Sequence, residues 1–113
     1  MARKAKKGRS PTRPKPFYEL AEVKLLIQEK KVLLRGNALD EAREAFGWDS
    51  SDILSALAGL QLKHFHKSDV SKFDPLVVVD YYKAYRLKGE EIYTHFYIND
   101  TTGRLVVNSF KEI

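Results

Sequence analysis

Residues 92–113, IYTHFYINDTTGRLVVNSFKEI, have the pattern of two β-strands joined by a short turn. The even-numbered positions include a series of large apolar residues, and the odd-numbered positions carry polar and aromatic ones. Residues two apart on a strand share a face of the sheet. The pattern therefore predicts a hairpin with one face toward a core and the other toward a polar cleft. The apolar set is Ile92, Phe96, Ile98, Val106 and Phe110, and the other set includes Tyr93, His95, Tyr97, Ser109 and Lys111.

The turn of this hairpin determines which residues lie opposite each other. Residues 100–104, DTTGR, fit a three-residue loop in which a type I turn is closed by Gly103 at positive φ. Opposed residues have Cβ atoms roughly 5 Å apart, so a phenol and an ammonium would lie side by side on one face. A loop of two or four residues would separate them, because a slip of one residue reverses the faces of a strand. The same spacing also fits two ordinary exposed residues of an edge hairpin. The predicted pairs are Asp100 with Arg104, His95 with Ser109, and Tyr93 with Lys111.

Charge is distributed unevenly along the 113 residues. Residues 1–16 contain seven lysines or arginines and no acid, whereas the whole chain has a net charge of +5. Subtracting this tail leaves a net charge of −2 for residues 17–113. The tail combines like charges with three prolines, so it is predicted to be disordered, either as a phosphate-seeking arm or as a solubilising segment. A nucleic-acid site in the folded domain, residues 17–113, must then come from local clustering of basic residues.

Composition and motifs exclude several classes of protein. The chain has no cysteine, which excludes a disulfide scaffold and thiolate metal sites and suits a cytoplasmic protein. No apolar run is long enough for a signal-peptide core or a membrane span. His64 and His66 are two apart on a predicted strand, but no third ligand accompanies them, so no metal or cofactor is predicted. A Walker loop and a dinucleotide fingerprint are also absent from the sequence.

The rest of the chain predicts helices followed by strands. Apolar residues first recur at helical spacing, and after Gly59 the period changes to two. Four consecutive strands with short connections form an antiparallel meander. The predicted fold class is therefore α+β, with N-terminal helices packed on one face of an antiparallel sheet. Helices are predicted at residues 17–29, 38–46 and 52–60, and strands at residues 32–34, 61–67 and 76–86, before the closing hairpin. In residues 61–67 the alternation places Lys63, Phe65 and Lys67 on one face.

The predicted strands carry a set of lysines, tyrosines and histidines that suits metal-free RNA cleavage. A base activates the ribose 2′-hydroxyl, cations stabilise the charge that develops on the phosphate, and an acid protonates the leaving 5′-oxygen. Tyrosines also stack on bases. Many antiparallel sheets carry tyrosines and lysines on an ordinary solvent face, so the set alone does not establish cleavage. A second hypothesis is a non-catalytic RNA- or ribosome-binding module that uses the basic tail and a tyrosine-rich face. The set is Lys67, Tyr82, Tyr93, His95, Tyr97 and Lys111, with Lys63, Tyr82 and Tyr97 as candidates for binding RNA.

Several segments resemble the MqsR family of bacterial toxins, messenger-RNA interferases with a RelE-like fold. Their order and spacing fit residues 17–113, and the closing S-F-K-E is the most specific of them. Val79 stands where the family has glutamine, and the basic tail has no counterpart in the family. The matching segments are the helix around Val23-Lys24, Phe65-x-Lys67-Ser68, Gly89 shortly before Tyr93, and Ser109-Phe110-Lys111-Glu112.

The resemblance implies a toxin of a type II toxin–antitoxin system that inhibits translation and growth. It implies cleavage of single-stranded mRNA at short sequences, often containing GCU, with or without stimulation by the ribosome. The implied catalytic residues are Lys67, Tyr93 and Lys111, and the expected products are a 2′,3′-cyclic phosphate and a 5′-hydroxyl. His95 is an additional acid–base candidate, because it shares the face of Tyr93. The implied partner is an MqsA-like antitoxin, a zinc-containing DNA-binding protein.

Overall fold

The computed structural model describes residues 15–113. Within this range, three helices and five strands follow one another in the predicted order, with a single 3₁₀ turn, Leu62–His64, before the second strand. The helices are α1 (Leu20–Gln28), α2 (Gly36–Phe46) and α3 (Ser50–Ala58). The strands are β1 (Val32–Leu34), β2 (Phe65–Val70), β3 (Val78–Leu87), β4 (Glu90–Ile98) and β5 (Leu105–Glu112).

The strands form one sheet in the order β1-β5-β4-β3-β2. Strands β2 to β5 are the predicted antiparallel meander, and β1 pairs with β5 in parallel at the edge. One apolar cluster joins all three helices to one side of this sheet, so the predicted α+β architecture is confirmed. We call that side the helix face and the opposite side the open face. The sheet contributes Tyr82, Ala84, Ile92, Phe96, Leu105, Val107 and Phe110 to the cluster.

A buried carboxylate joins the start of the described chain to the sheet. Asp80 on β3 is fully buried, and it accepts hydrogen bonds from Phe17 N at 3.1 Å, from Tyr18 N at 2.9 Å and from Ser68 Oγ. Hydrogen bonds from several donors offset the free-energy cost of burying a charged carboxylate. Because the backbone at residues 17 and 18 is held by this carboxylate, α1 begins at Leu20 rather than at Phe17, where the sequence placed it.

The loop between β4 and β5 differs from the prediction. Asn99 N donates to Arg104 O at 2.9 Å and Gly103 N donates to Asn99 O at 2.7 Å, so Asn99 lies opposite Arg104 and the loop has four residues. The predicted pairing of Asp100 with Arg104 is therefore wrong. The physical reason is the Asn99 side chain, which accepts from the backbone N–H groups of Thr101 and Thr102 and so stabilises a wider turn.

A β-bulge restores the predicted pairing further along the hairpin. Phe96 pairs with Val107 but His95 pairs with Ser109, so one residue of β5, Asn108, is extra. Beyond it the pairs His95–Ser109 and Tyr93–Lys111 are confirmed. On the loop side of the bulge the facing of β5 is reversed, so Leu105 and Val107 join the apolar cluster. Val106, predicted for the core, instead pairs with Tyr97 on the open face, although it is only 3% exposed.

A second irregularity separates the residues predicted to share a face near β2. Phe65 pairs with Tyr82 and Lys67 pairs with Tyr81, because the ladder shifts at His66. Phe65 therefore packs against the apolar cluster while Lys67 lies on the open face. Residues 62–64 form the 3₁₀ turn rather than a strand, and His64 Nδ1 stabilises it by accepting from Gln61 N at 3.0 Å.

The predicted disordered tail, residues 1–16, lies outside the described residues except for Lys15 and Pro16. A domain boundary at residue 17 stays a prediction. Among residues 15–113, none of the helices has the length and apolar character needed to cross a membrane.

Replacing Asp80 by alanine should lower the free energy of unfolding by about 3 kcal/mol, because two backbone N–H groups and a hydroxyl lose their acceptor. Urea unfolding followed by the fluorescence of Trp48, the single tryptophan, measures the change. Asp100→Ala is the matched control, since this carboxylate is exposed and its loss should cost less than about 0.5 kcal/mol. Equal unfolding free energies for the two variants would contradict a stabilising role of Asp80.

Candidate active site

A single row of paired residues crosses four strands of the sheet. Lys67 on β2 pairs with Tyr81 on β3, Tyr81 pairs with His95 on β4, and His95 pairs with Ser109 on β5. Paired residues lie on the same face of a sheet, so this row runs along the open face. The sequence-predicted residues Lys67, Tyr93, His95 and Lys111 are all brought to this face.

Three rings at the centre of the row form a compact group, here called the aromatic cluster: Tyr81, Tyr93 and His95. The ring centroids of Tyr81 and His95 are 4.7 Å apart, those of Tyr93 and His95 are 5.7 Å apart, and those of Tyr81 and Tyr93 are 6.3 Å apart. These are ordinary packing distances for tilted and edge-to-face aromatic pairs. The contacts hold His95 and Tyr93 in fixed orientations on a sheet that is otherwise open on this side.

Two lysines approach the aromatic cluster from opposite edges. Lys67 Nζ lies 4.9 Å from the centroid of the Tyr81 ring, and Lys111 Nζ lies 5.4 Å from the centroid of the Tyr93 ring. Such cation–π contacts direct both ammonium groups toward the centre of the face. Lys67 Nζ is also 3.7 Å from an oxygen of Asp69, but both side chains are about half exposed and the pair is weak. Lys111 takes part in none of the ion pairs found among residues 15–113.

A glutamate that the sequence analysis did not select lies at the β5 edge of this face. Glu41 on α2 accepts from Ser109 Oγ at 2.7 Å and from Phe110 N at 3.0 Å. β1 pairs only with residues 105–107 of β5, and α2 covers the edge of β5 that follows. There Glu41 accepts the hydrogen bond of the Phe110 N–H, which has no strand partner on that side. Its negative charge also acts on His95 and Tyr93. No pattern in residues 36–46 indicates this role, because it depends on a contact with a strand far along the chain.

Burial controls the protonation of His95. It lowers the pKa of His95 below the usual value of 6.5, the negative charge of Glu41 opposes this shift, and the positive charges of Lys111 and Lys72 lower the pKa further. His95 Nδ1 is buried and has no hydrogen-bond partner within residues 15–113. At neutral pH the ring is therefore uncharged and able to accept a proton.

The phenol of Tyr93 has the opposite tendency. Burial raises its pKa above 10, and the neighbouring Tyr81 and Glu41 raise it further, since each disfavours a phenolate. Tyr93 therefore keeps its proton at neutral pH and acts as a hydrogen-bond donor. A neutral acceptor and a protonated donor thus lie side by side on β4, between two ammonium groups.

Tyr82, predicted to bind RNA, is fully buried on the helix face and is unable to do so. Its ring stacks on Phe96 at 5.2 Å and meets Phe65 edge to face at 5.6 Å. The residue that the open face uses is its neighbour Tyr81. Tyr82 was selected as a tyrosine on a predicted strand, and its burial becomes visible only from the packing of β3 against the helices.

The other selected residues lie around this group. Tyr97 is half-buried on the open face, two positions beyond His95 on β4. Lys63 is exposed in the 3₁₀ turn before β2 and does not join the aromatic cluster. Val79, at the position of the family glutamine, shares the face of Tyr81 and is 3% exposed, so it offers no polar side chain there. Within residues 15–113, no group of three or more histidine, aspartate or glutamate residues is arranged to hold a metal ion.

One comparison with known proteins identifies a relationship. The sequence model of the family described as "Motility quorum-sensing regulator, toxin of MqsA" matches residues 15–112, which is most of the chain. No curated protein matches the chain. The matched range includes every residue of the aromatic cluster and both lysines beside it.

Removing single charges around His95 should move its pKa in opposite directions. Glu41→Gln keeps an acceptor for Ser109 but removes a charge that favours the imidazolium, so the pKa of His95 should fall further. Lys111→Met removes a charge that disfavours the imidazolium, so the pKa should rise. NMR titration of the histidine ring protons measures both shifts.

His66 is the internal control for this titration. Its pKa is lowered by burial, Lys83 and Lys67 rather than by Glu41 or Lys111, so it should be the same in both variants. An unchanged pKa of His95 in both variants would contradict this account of the site.

Proposed function

The chain belongs to the family of MqsR toxins, and from this premise we propose that it is a metal-independent endoribonuclease that cleaves single-stranded mRNA. Family membership makes it the toxin of a toxin–antitoxin system, with an antitoxin of the MqsA type as its partner. The observation that supports the proposed activity is the convergence of Lys67, Lys111, Tyr93 and His95 on the open face, because it supplies a base, a proton donor and two cations.

His95 is the proposed general base. Its neutral ring accepts the proton of the ribose 2′-hydroxyl, and the 2′-oxygen attacks the adjacent phosphorus. The lowered pKa of His95 keeps the ring unprotonated at neutral pH. The reaction therefore needs no metal-bound hydroxide to begin.

Lys67 and Lys111 are proposed to stabilise the pentavalent phosphorane. Negative charge on the non-bridging oxygens increases as the 2′-oxygen attacks, and fixed ammonium groups act most strongly at that stage. The ammonium groups contact the rings of the aromatic cluster from opposite edges. A phosphate above the rings would lie between them.

Tyr93 is the proposed proton donor to the leaving group. The bond from phosphorus to the 5′-oxygen breaks, and the phenol gives its proton to the resulting alkoxide, which is a far stronger base than a phenolate. The products are a 2′,3′-cyclic phosphate and a 5′-hydroxyl. His95 then holds the transferred proton, and exchange with water restores both side chains.

The open face also accounts for the proposed substrate. Its exposed rings and cations suit unpaired bases and a phosphate backbone, as in other sites for single-stranded RNA. Tyr97 and Lys63 are the proposed additional contacts with RNA. The proposed cleavage sequences are short and include GCU. Because Val79 stands where the family has glutamine, we propose that the sequence preference of this chain differs from that of other family members. The proposed substrate is mRNA, either free or on the ribosome, so the proposed site of action is the cytoplasm. The proposed antitoxin is a zinc-containing DNA-binding protein.

Purified protein should cut single-stranded mRNA in the presence of EDTA, and the triple variant Lys67→Ala/Tyr93→Phe/Lys111→Ala should not. Loss of one charge-stabilising group alone should lower kcat by about 100-fold or more. End mapping should find cyclic phosphate and 5′-hydroxyl termini, and a 2′-deoxy substrate should remain intact. Expression should arrest growth unless the antitoxin is supplied.

Lys30→Ala/Arg104→Ala is the control, because both residues are exposed at the far end of the sheet. Intact RNA with the wild-type protein, or equal cutting by the triple variant, would overturn the proposal. RNA binding without cutting would assign the chain to non-catalytic RNA-binding modules instead.

The pH dependence of cleavage should report His95. A base must be unprotonated, so kcat/KM should fall about tenfold per pH unit below the pKa of His95, which lies under 6.5. His95→Gln should lower kcat by about 100-fold and remove this acidic limb. An unchanged acidic limb in His95→Gln would exclude His95 as the base.

A further inference from the structure

A cleft of about 400 Å³ lies beside the candidate active site, outside the aromatic cluster. It is formed where the 3₁₀ turn and the start of β2 meet the end of β3. Its walls include three cationic side chains, two histidines and one tyrosine: Lys63, Lys83, Arg86, His64, His66 and Tyr85. None of the catalytic steps proposed above uses it, although Lys63 is among the residues proposed to contact RNA.

The cations of the cleft are not neutralised by the protein. No acidic residue lines it, and none of the ion pairs found among residues 15–113 includes Lys63, Lys83 or Arg86. Residues 1–14 contain no acid that would supply a partner. Three unpaired cations in a chain whose residues 17–113 carry a net charge of −2 are a local concentration of positive charge, and it favours an anionic ligand.

The two histidines contribute hydrogen-bonding groups rather than charge. Burial lowers the pKa of His64, as do the charges of Lys63 and Lys24. The pKa of His66 is lowered by burial and by Lys83 and Lys67. His64 is also fixed in orientation, since its Nδ1 accepts from Gln61 N and its proton is therefore on Nε2.

An aromatic ring at the rim completes the cleft. Tyr85 is 60% exposed, so its ring is accessible at the rim. Aromatic rings beside cationic groups are the common arrangement for stacking the bases of single-stranded nucleic acids. Because Lys63, Tyr85 and Arg86 are all exposed, the cleft is open at its rim, and a polymer passes through such a groove more readily than through a closed cavity.

The cleft is continuous with the candidate active site. Lys83, on its wall, pairs directly with Tyr93 of the aromatic cluster. His66, which lines the cleft, directly precedes Lys67 of the active site on β2. An RNA strand with its scissile phosphate above the aromatic cluster therefore has the cleft next to it along the face.

We propose that this cleft is a second RNA subsite, which holds a nucleotide flanking the cleaved bond. Lys63, Lys83 and Arg86 contact its phosphate groups, and the ring of Tyr85 stacks on its base. The inference rests on the proposed function, since the register of the strand is set by a phosphate at the active site.

Binding of an uncleavable RNA tests the subsite. The probe is a fluorescent 2′-O-methyl oligoribonucleotide of mixed sequence, about 12 nucleotides long, titrated with the full chain at several salt concentrations. Lys63→Gln/Arg86→Gln should raise Kd about tenfold. The slope of log K against log salt should decrease in magnitude by about 1.4, since each phosphate contact on a single strand contributes about 0.7. Tyr85→Ala should raise Kd about tenfold and Tyr85→Phe should not.

Lys30→Gln/Arg104→Gln is the matched control, because it removes the same charge from exposed positions at the far end of the sheet. Circular dichroism verifies that all variants are folded, and Tyr85→Phe, which keeps the ring, tests the tyrosine without a change of charge. Equal Kd and salt slope for Lys63→Gln/Arg86→Gln and the control would overturn the subsite, even if the wild-type protein cleaves RNA. Weaker binding by the cleft variants alone would support the cleft as an RNA-binding site. If the wild-type protein does not cleave, that result would contradict the proposed function but not RNA binding in the cleft.

Discussion

The bulge at Asn108 determines which side chains of β5 face the helices and which face the open side of the sheet. Before it, Leu105 and Val107 face the helices, and after it Phe110 does so, while Ser109 and Lys111 turn to the open face. Without the extra residue, the apolar and polar positions of β5 would be out of step with β4, because a slip of one residue reverses every side chain. Core packing and the position of Lys111 beside Tyr93 therefore depend on the same local irregularity. Bulges are found next to functional sites for this reason.

Local alternation predicted most of the candidate site. Tyr93, His95 and Lys111 reach the open face because the period of two is a property of each strand on its own. The predicted pairing of Tyr93 with Lys111 was right although its reasoning contained two errors. The loop is one residue longer than predicted and the bulge adds one residue to β5, so the two errors cancel.

The error in the hairpin loop has a local cause, the Asn99 side chain, whereas two other failures of prediction involve contacts between distant parts of the chain. Tyr82 was selected for RNA binding as a tyrosine on a predicted strand, and only the packing of β3 against the helices shows that it is buried. Glu41 was overlooked because its acceptor role requires α2 to lie along β5. The fold class needed no such contacts, since the order of helical and strand periods is visible in the sequence. Side chains whose function is to join distant segments remain the hardest to recognise in a single sequence.

The order of the strands along the chain has a consequence for synthesis. Lys67, the aromatic cluster and Lys111 are made in that order, and β5 is translated after the strands that it joins. Until β5 pairs with β4, Lys111 is absent from the side of Tyr93, and Ser109 and Phe110 do not hold Glu41 near His95. Under the proposed function, a nascent chain has an incomplete site while the ribosome is still reading the codons before β5. Under the proposed function, cleavage of mRNA would therefore begin only after the last strand has been made and paired.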